Sequence, residues 1–168
     1  MNKTDRKPIV RSPAELLREG LLTDFMEYAK QSGKFSAVGL EERIQDAKAL
    51  AYFRSEDGHF EGVGGLKRQT RQYVQGIFKK AASPIPADSI PYEIGWIRVT
   101  KIGHRFGFKI IRKLVEAAEN EGVYLTTEVD NEAIKKFALE LGFRQAGHTY
   151  PSSQGNSDLL LFVLAPRR

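Results

Sequence analysis

Cysteine is absent from this sequence, and histidine occurs only three times, at His59, His104 and His148. Without cysteine, a disulfide framework, a thiolate metal site and a cysteine nucleophile are all excluded. The three histidines are far apart in the sequence and do not show the spacing of metal ligands. We therefore expect no metal cofactor.

Long apolar runs are also missing. No stretch approaches the length that spans a membrane, and the polar segment Met1–Lys7 is not followed by the apolar core of a signal peptide. The lack of cysteine agrees with a reducing compartment. We expect a cytoplasmic protein with no membrane partner.

The composition suits one domain over residues 1–168, with residues 1–11 loosely ordered and a short strand over 8–10 at their end. Hydrophobic residues make up 41% and charged residues 28% of the chain, as in an ordinary globular protein. The net charge of +5 favours anionic ligands. Because the basic residues are spread out, a slightly basic surface and a nucleic-acid face are equally good interpretations. A monomer and a homodimer both remain open.

The first half of the chain predicts helices followed by a β-hairpin. Ser12 and Glu15 form a capping box around Pro13, which predicts a helix that runs to Ser32-Gly33. A helix over 40–47, a hairpin with an Asp-Gly turn and a further helix within 67–82 follow. The first and the last of these helices each have an amphipathic face. Its apolar residues are Leu17, Leu21, Phe25 and Tyr28 in the first helix and Tyr73, Ile77 and Ala81 in the last.

The hairpin strands are predicted over 49–53 and 60–66. Gly62, Gly64 and Gly65 fall in the second strand, where glycine weakens pairing and indicates a bulge or a close backbone approach.

The central unit reads as a strand over 92–99, a basic glycine turn over 100–107 and a helix. The helix presents an apolar stripe at helical spacing: Phe108, Ile111, Leu114, Val115 and Ala118. The first turn of a helix carries free N–H groups and a partial positive charge, so it attracts anions. Lys101, His104, Arg105 and Lys109 add positive charge there. This unit predicts a diphosphate site.

The remainder predicts a strand over 123–129, a helix capped by Asp130 or Asn131, a strand over 143–150 and a buried strand over 159–164. The helix ends at Gly142, and its apolar stripe consists of Ile134, Phe137, Ala138 and Leu141.

The order of these elements resembles the GNAT superfamily of acyl-CoA-dependent N-acyltransferases. Residues 93–99 are similar to the fourth strand of the family, residues 103–118 to its pyrophosphate turn and helix, and residues 131–143 to its late helix with the ending Leu-Gly-Phe. The resemblance covers most of the chain from about Ala49 onward. It implies an α+β fold with a splayed, mostly antiparallel mixed sheet flanked by helices.

The resemblance also implies acetyl-CoA as co-substrate. Its pantetheine arm lies in the gap between the fourth and fifth strands. The resemblance and the cations of the turn together assign the following residues to cofactor binding: Ile97, Val99, Gly103, His104, Arg105, Phe106, Gly107, Lys109 and Asn131.

Two departures from the family pattern are visible. The turn matches the family's glycine spacing only in part and is shortened by one or two residues. The position of the family's general-acid tyrosine holds Ala138. Tyr150, Tyr124 or a water molecule is left to protonate the departing thiolate, and none of these has a motif behind it.

The chemistry requires a neutral amine. A lysine-like amine has a pKa of ~10.4, so at pH 7 only about one molecule in 10³ is neutral. A carboxylate removes the excess proton directly or through water. Glu93, on the central strand, is the candidate base; a surface carboxylate is an equally good interpretation.

The sequence thus predicts direct acetyl or acyl transfer from acyl-CoA to the primary amine of a small molecule or peptide. One alternative is a CoA-binding protein with little or no catalysis. The other is a basic acetyltransferase acting on RNA such as aminoacyl-tRNA; nucleic acid is the less favoured partner. That alternative rests on Lys67, Arg68, Arg71, Lys79 and Lys80.

Overall fold

The computed structural model describes residues 5–153, 155 and 157–168. The described residues form an eight-stranded sheet. Its strands are β1 (Ile9–Arg11), β2 (Ala49–Arg54), β3 (Phe60–Arg68), β4 (Tyr92–Val99), β5 (Val123–Glu128), β6 (Arg144–Gln145), β7 (Tyr150–Pro151) and β8 (Asp158–Leu164). The strand order is β1-β2-β3-β4-β5-β8-β6, and β7 pairs with β8.

Helices cover both faces of this sheet. They are α1 (Pro13–Arg18), α2 (Leu22–Lys30), α3 (Leu40–Gln45), α4 (Arg71–Lys80), α5 (Phe106–Ala117) and α6 (Glu132–Glu140), with a short 3₁₀ turn at Ala87–Ser89. The predicted α+β class, with a mostly antiparallel mixed sheet, is confirmed. No helix among the described residues is long and apolar enough to cross a bilayer.

The splay predicted between β4 and β5 is confirmed. These strands run parallel and pair only at Tyr92 with Val123 and at Glu93 with Tyr124. The other pairs in the sheet are antiparallel, and β5 pairs with β8 along its whole length. Beyond Glu93, β4 and β5 separate, which leaves a gap in the middle of the sheet.

A β-bulge lies at the centre of β4. Val63 pairs with Arg98 and Gly65 with Gly95, so Gly64 opposes both Trp96 and Ile97. Trp96 has φ +55°, in the left-handed region that non-glycine residues seldom adopt. A Cβ on Gly64 would come within 2.6 Å of the side chains of Ile97 and Ile110. The glycines of β3 therefore give the bulge and the following helix room to pack, as their pattern predicted.

The N-terminal helical segment differs from the prediction of one long helix. The Ser12 capping box is present, but α1 ends at Arg18, and Gly20, at φ +73°, separates it from α2. The break shifts the helical phase, so Leu17 is 61% exposed. The buried residues of the two helices are Pro13, Leu16, Leu22, Phe25 and Ala29.

The α4 face is shifted by one residue from the predicted one. Val74 and Phe78 are buried with Ala81, whereas Tyr73 is exposed. Thr70 caps the helix by accepting a hydrogen bond from the backbone N–H of Tyr73. This capped start orients Tyr73 away from the core.

The strand predicted over 143–150 is interrupted. It divides into β6 and β7, and Gly147 lies between them at φ +74°. The backbone N–H of His148 donates to the Ala81 carbonyl at 2.8 Å. The chain leaves the sheet at this point because it packs against the C-terminal end of α4.

The described residues form three hydrophobic clusters. One joins α5 and α6 to one face of the sheet. The second packs α1, α2 and α3 against Trp96, and the third packs α4 against Tyr124 and Tyr150. Glu93 of β4 pairs with Tyr124 of the third cluster, and its neighbour Lys67 lies against Trp96 of the second. Glu93 therefore lies near the boundary between these two clusters.

Candidate active site

The side chain of Glu93 belongs to a buried polar cluster at the point where β4 and β5 separate. Its Oε1 accepts a hydrogen bond from Lys67 Nζ at 3.3 Å. Its Oε2 accepts from Gln69 Nε2 at 2.6 Å and from the Tyr124 hydroxyl at 2.9 Å. We call these four residues the Glu93 cluster. Glu93 is only 7% exposed, so the interpretation as a surface carboxylate is wrong.

The three donors replace the water that Glu93 loses on burial. A buried carboxylate is costly unless it is paired and hydrogen-bonded, and the Lys67–Glu93 pair meets that condition. Burial, and after it the charge of Glu93, raises the pKa of Tyr124 far above its usual range. Tyr124 therefore stays protonated, and its hydroxyl donates a hydrogen bond to Glu93.

Sequence reasoning missed Lys67 as a member of this site because it counted Lys67 among surface cations. Lys67 is 9% exposed and lies directly opposite Glu93 on β3. Its Nζ is 5.1 Å from the centre of the Trp96 ring. The signal was the pairing register of β3 with β4, but the bulge at Gly64 prevents that register from being counted along the sequence.

Tyr150 lies on β7 with a buried hydroxyl, and that hydroxyl has no hydrogen-bond partner among the described residues. Burial raises the pKa of Tyr150, and the charges of Tyr73 and Glu93 add to the rise. Thr126 is close enough to oppose the rise slightly, although its geometry is not that of a hydrogen bond. Tyr150 thus holds a proton close to the Glu93 cluster.

The backbone of β4 faces the gap beyond Glu93. On the opposite edge, Val99 pairs with Gly62 and Arg98 with Val63 of β3. Within the described chain no β5 residue pairs with Ile97 or Val99. The position of these two residues agrees with the predicted contact to an extended ligand, and that contact stays a prediction.

The turn before α5 is compact. Gly103 has φ +86° and Arg105 has φ +54°, and α5 starts at Phe106, two residues earlier than its apolar stripe predicted. Arg105 occupies the cap position without a side-chain hydrogen bond to the helix. The anion site expected at the start of α5 stays a prediction.

Three of the four predicted cations at this turn already have protein partners. Lys101 pairs with Glu61 at 3.0 Å, and Arg105 pairs with Glu140. Lys109 Nζ donates to the backbone carbonyl of Arg6 at 3.1 Å. A diphosphate that bound to these cations would therefore have to replace their protein partners.

Glu61 is the acidic partner on the β3 side of the turn. It also pairs with Arg6 at 2.6 Å. Burial alone would raise the pKa of Glu61, but hydrogen bonds from Arg6 and Lys101 outweigh it and lower that pKa.

The aromatic residues of the turn belong to the core. Phe106 is 1% exposed, and its ring stacks on that of Phe53 with centroids 3.8 Å apart. The His104 ring lies 5.4 Å from the Phe106 ring. A Cβ on Gly107 would lie 3.2 Å from the Phe137 ring, so glycine lets α5 and α6 pack closely.

In α6, Asn131 acts as the helix cap: its Oδ1 accepts from the Ile134 N–H at 3.2 Å. The position of the family's usual tyrosine holds Ala138, which is fully buried. Ile134, Phe137 and Leu141 are partly buried against the core, so the predicted helical stripe is present.

Two surface hollows lie away from the Glu93 cluster. One, of about 230 Å³, contains Arg6 and Phe53 in its wall. The other, of about 460 Å³, runs along α6 and includes Leu139 and Leu160. Both are lined by charged side chains at the surface, whereas Lys67 and Glu93 form a buried pair, so we locate the candidate site at the Glu93 cluster. The described residues contain no group of three or more acidic, histidine or cysteine side chains that suits a metal ion.

Comparison with known proteins identifies the fold. An acyl-CoA N-acyltransferase from Pseudomonas aeruginosa matches with a TM-score of 0.63 and 15% identity, covering 95% of this chain and 99% of its own. NAA60 from Arabidopsis thaliana, solved with acetyl-CoA, matches with a TM-score of 0.62 and 13% identity over 95% of this chain and 99% of its own.

A GNAT-family acetyltransferase from Listeria monocytogenes gives a TM-score of 0.56 at 16% identity, over 94% of each chain. No protein-family model matches the sequence. No curated protein matches it either. The fold is the GNAT acetyltransferase fold.

Proposed function

We propose that this protein is an acyl-CoA-dependent N-acyltransferase that moves an acetyl group directly to a primary amine of a small molecule or peptide. One observation carries the proposal: β4 and β5 part immediately after Glu93, so a buried carboxylate lies at the end of the gap. In a GNAT fold this gap is where we expect the pantetheine arm of acetyl-CoA. The whole chain would then form one acyltransferase domain.

The residues at the gap suit the parts of the reaction. Glu93 accepts the proton of the amine or anchors the amine as a cation. The backbone near Ile97 holds the developing oxyanion. Tyr150 carries a proton with no competing partner among the described residues and serves as the general acid for the thiolate. The absence of cysteine favours direct transfer over an acyl-cysteine intermediate.

The turn before α5 is the diphosphate site in this proposal. The backbone from Gly103 to Gly107 presents the helix start, and Lys101, Arg105 and Lys109 supply charge. His104 adds charge when protonated. Asn131 is committed to capping α6, so any contact it makes with the pantetheine arm would use atoms other than Oδ1.

An assay of free thiol tests the proposal. Purified protein is incubated with acetyl-CoA and a panel of amines, amino acids and peptides, and both thiol release and the acetylated product are measured. We expect release that depends on acceptor. Tight acetyl-CoA binding without acceptor-dependent release would favour the CoA-binding alternative. That alternative rests on the altered turn and on Ala138, and the three hydrogen bonds that Glu93 already accepts add to it.

The RNA alternative has less structural support. Of its five basic residues, Lys67 is buried against Glu93 and Arg71 pairs with Asp88 at 2.9 Å. This leaves a smaller basic surface than the sequence suggested.

A further inference from the structure

The Glu93 cluster has hydrogen-bonding positions that no described residue fills. Lys67, Gln69 and Tyr124 are donors to Glu93, the acidic member of the cluster. The Tyr150 hydroxyl adds a buried group with no partner among the described residues. A carboxylate offers about four acceptor positions, and three are in use. The Lys67 ammonium has three N–H groups and gives one of them to Glu93. A ligand that brings an acceptor atom as well as a donor would therefore use both Lys67 and the open position on Glu93.

The charges of the cluster point the same way. The side chains of Lys67 and Glu93 are 11% and 9% exposed, and they form an ion pair at 3.3 Å. Because the two charges cancel, the cluster exerts little net attraction on a cationic amine. An amine that paired with Glu93 alone would pull it away from Lys67 and leave the Lys67 ammonium buried without its partner. Removing one partner from a buried pair is strongly unfavourable.

An acceptor that carries both charges avoids this penalty. Its ammonium pairs with Glu93 while its carboxylate pairs with Lys67, so each buried charge exchanges one partner for another. We propose that Lys67 is a specificity-determining residue that selects amines bearing a carboxylate, that is, free amino acids, over simple amines and polyamines. This inference rests on the proposed function and names its acceptor class.

Lys67 is held in place by packing against β4. Its side chain crosses Gly95 of β4, where a Cβ would lie 2.8 Å from Lys67 Cδ and 3.4 Å from Nζ. The Trp96 ring lies beside the ammonium. Gly95→Ala would therefore displace Lys67 without removing its charge, which makes it a second, independent variant.

The test compares an amino acid with the amine that lacks only its carboxylate. kcat/KM is measured for both acceptors, and acetyl-CoA affinity is measured separately by calorimetry. We expect the wild type to prefer the amino acid by about 10- to 100-fold, the usual value of a hydrogen bond to a charged group. Lys67→Met should abolish most of that preference, chiefly by raising KM for the amino acid. Lys67→Arg should keep part of it.

Lys113→Met, on the exposed side of α5 where Lys113 pairs with Glu116, is the matched control and should leave the preference unchanged. A general folding defect would lower both rates together and leave their ratio intact. Should Lys67→Met not fold, the wild-type ratio and Gly95→Ala decide the question, since Gly95→Ala should reduce the preference.

Equal use of both acceptors by the wild type, or an unchanged ratio in Lys67→Met, would overturn this inference while the acyltransferase proposal stands. Failure to bind acetyl-CoA or to acetylate any amine would overturn both.

Discussion

Glu93 lies on β4 before its bulge, and Arg105 lies in the turn that connects β4 to α5. The surroundings of these two residues differ. The Glu93 carboxylate is 9% exposed and accepts three hydrogen bonds from inside the protein. The Arg105 guanidinium is 53% exposed and pairs with Glu140 on the surface of α6. A buried charge depends on fixed partners, whereas an exposed one exchanges partners with solvent and ions.

This difference suggests a division of labour. The Glu93 cluster has the fixed geometry that chemistry requires. At the turn before α5, Lys101 and Arg105 form ion pairs with Glu61 and Glu140. An incoming diphosphate can separate these pairs with a small loss of free energy. Changes at Glu93 should therefore act on turnover, and changes at the turn should act on acetyl-CoA affinity.

The largest expected effect comes from Glu93→Gln. General-base assistance is worth typically 10²–10⁴-fold, so kcat/KM at neutral pH should fall by about that factor while acetyl-CoA affinity is kept. Raising the pH should restore much of the rate, because the amine then arrives neutral. Thiol-release assays from pH 6 to 10 measure kcat/KM at each pH. Glu116→Gln, at an exposed position of α5, is the control.

A rise in KM without loss of kcat, and without rescue at high pH, would instead assign Glu93 to anchoring a cationic acceptor. Wild-type rates over the whole pH range would exclude both roles.

Arg105→Glu tests the other region and should have a smaller effect. It replaces an attracting charge beside a diphosphate with a repelling one, so acetyl-CoA should bind roughly tenfold more weakly or worse. Calorimetry measures the affinity. The variant Arg105→Glu/Glu140→Arg restores the surface pair in reversed order and should still bind weakly. Recovery of affinity in that double variant would show that the pair, and not the charge at position 105, matters.

The smallest effect is expected at Glu61, which holds Lys101 and Arg6. Because these partners lower its pKa, the ionised form stabilises the folded protein above the unfolded pKa of about 4.3, and this contribution disappears as the pH falls through the lower folded value. Glu61→Gln should cost about 1 kcal/mol or less at pH 7, and the difference from wild type should shrink below pH 4. Urea unfolding at both pH values measures it; a constant difference would refute the ionic explanation.

Much of the fold could be predicted from the sequence because local signals agree with it. The Ser12 capping box, the Asp-Gly hairpin and the β4–α5 unit depend on nearby residues. Two elements were predicted as continuous although a single glycine interrupts each of them. Gly20 divides a helix that its apolar spacing presents as continuous, and Gly147 divides a strand.

The candidate site was harder to predict because its partners come from separate strands. Position on the central strand indicated Glu93, but burial by Lys67, Gln69 and Tyr124 depends on the register of three strands around a bulge. Likewise, the sequence shows that cations crowd the turn, but not that Glu61 and Glu140 already bind two of them.

A crystal structure with acetyl-CoA tests the central claim most directly. We predict that the diphosphate contacts the turn at Gly103–Gly107, that the pantetheine arm lies between β4 and β5, and that the thioester reaches the backbone near Ile97 on the side of Glu93. Acetyl-CoA bound elsewhere, or a thioester separated from Glu93 by the sheet, would contradict the account.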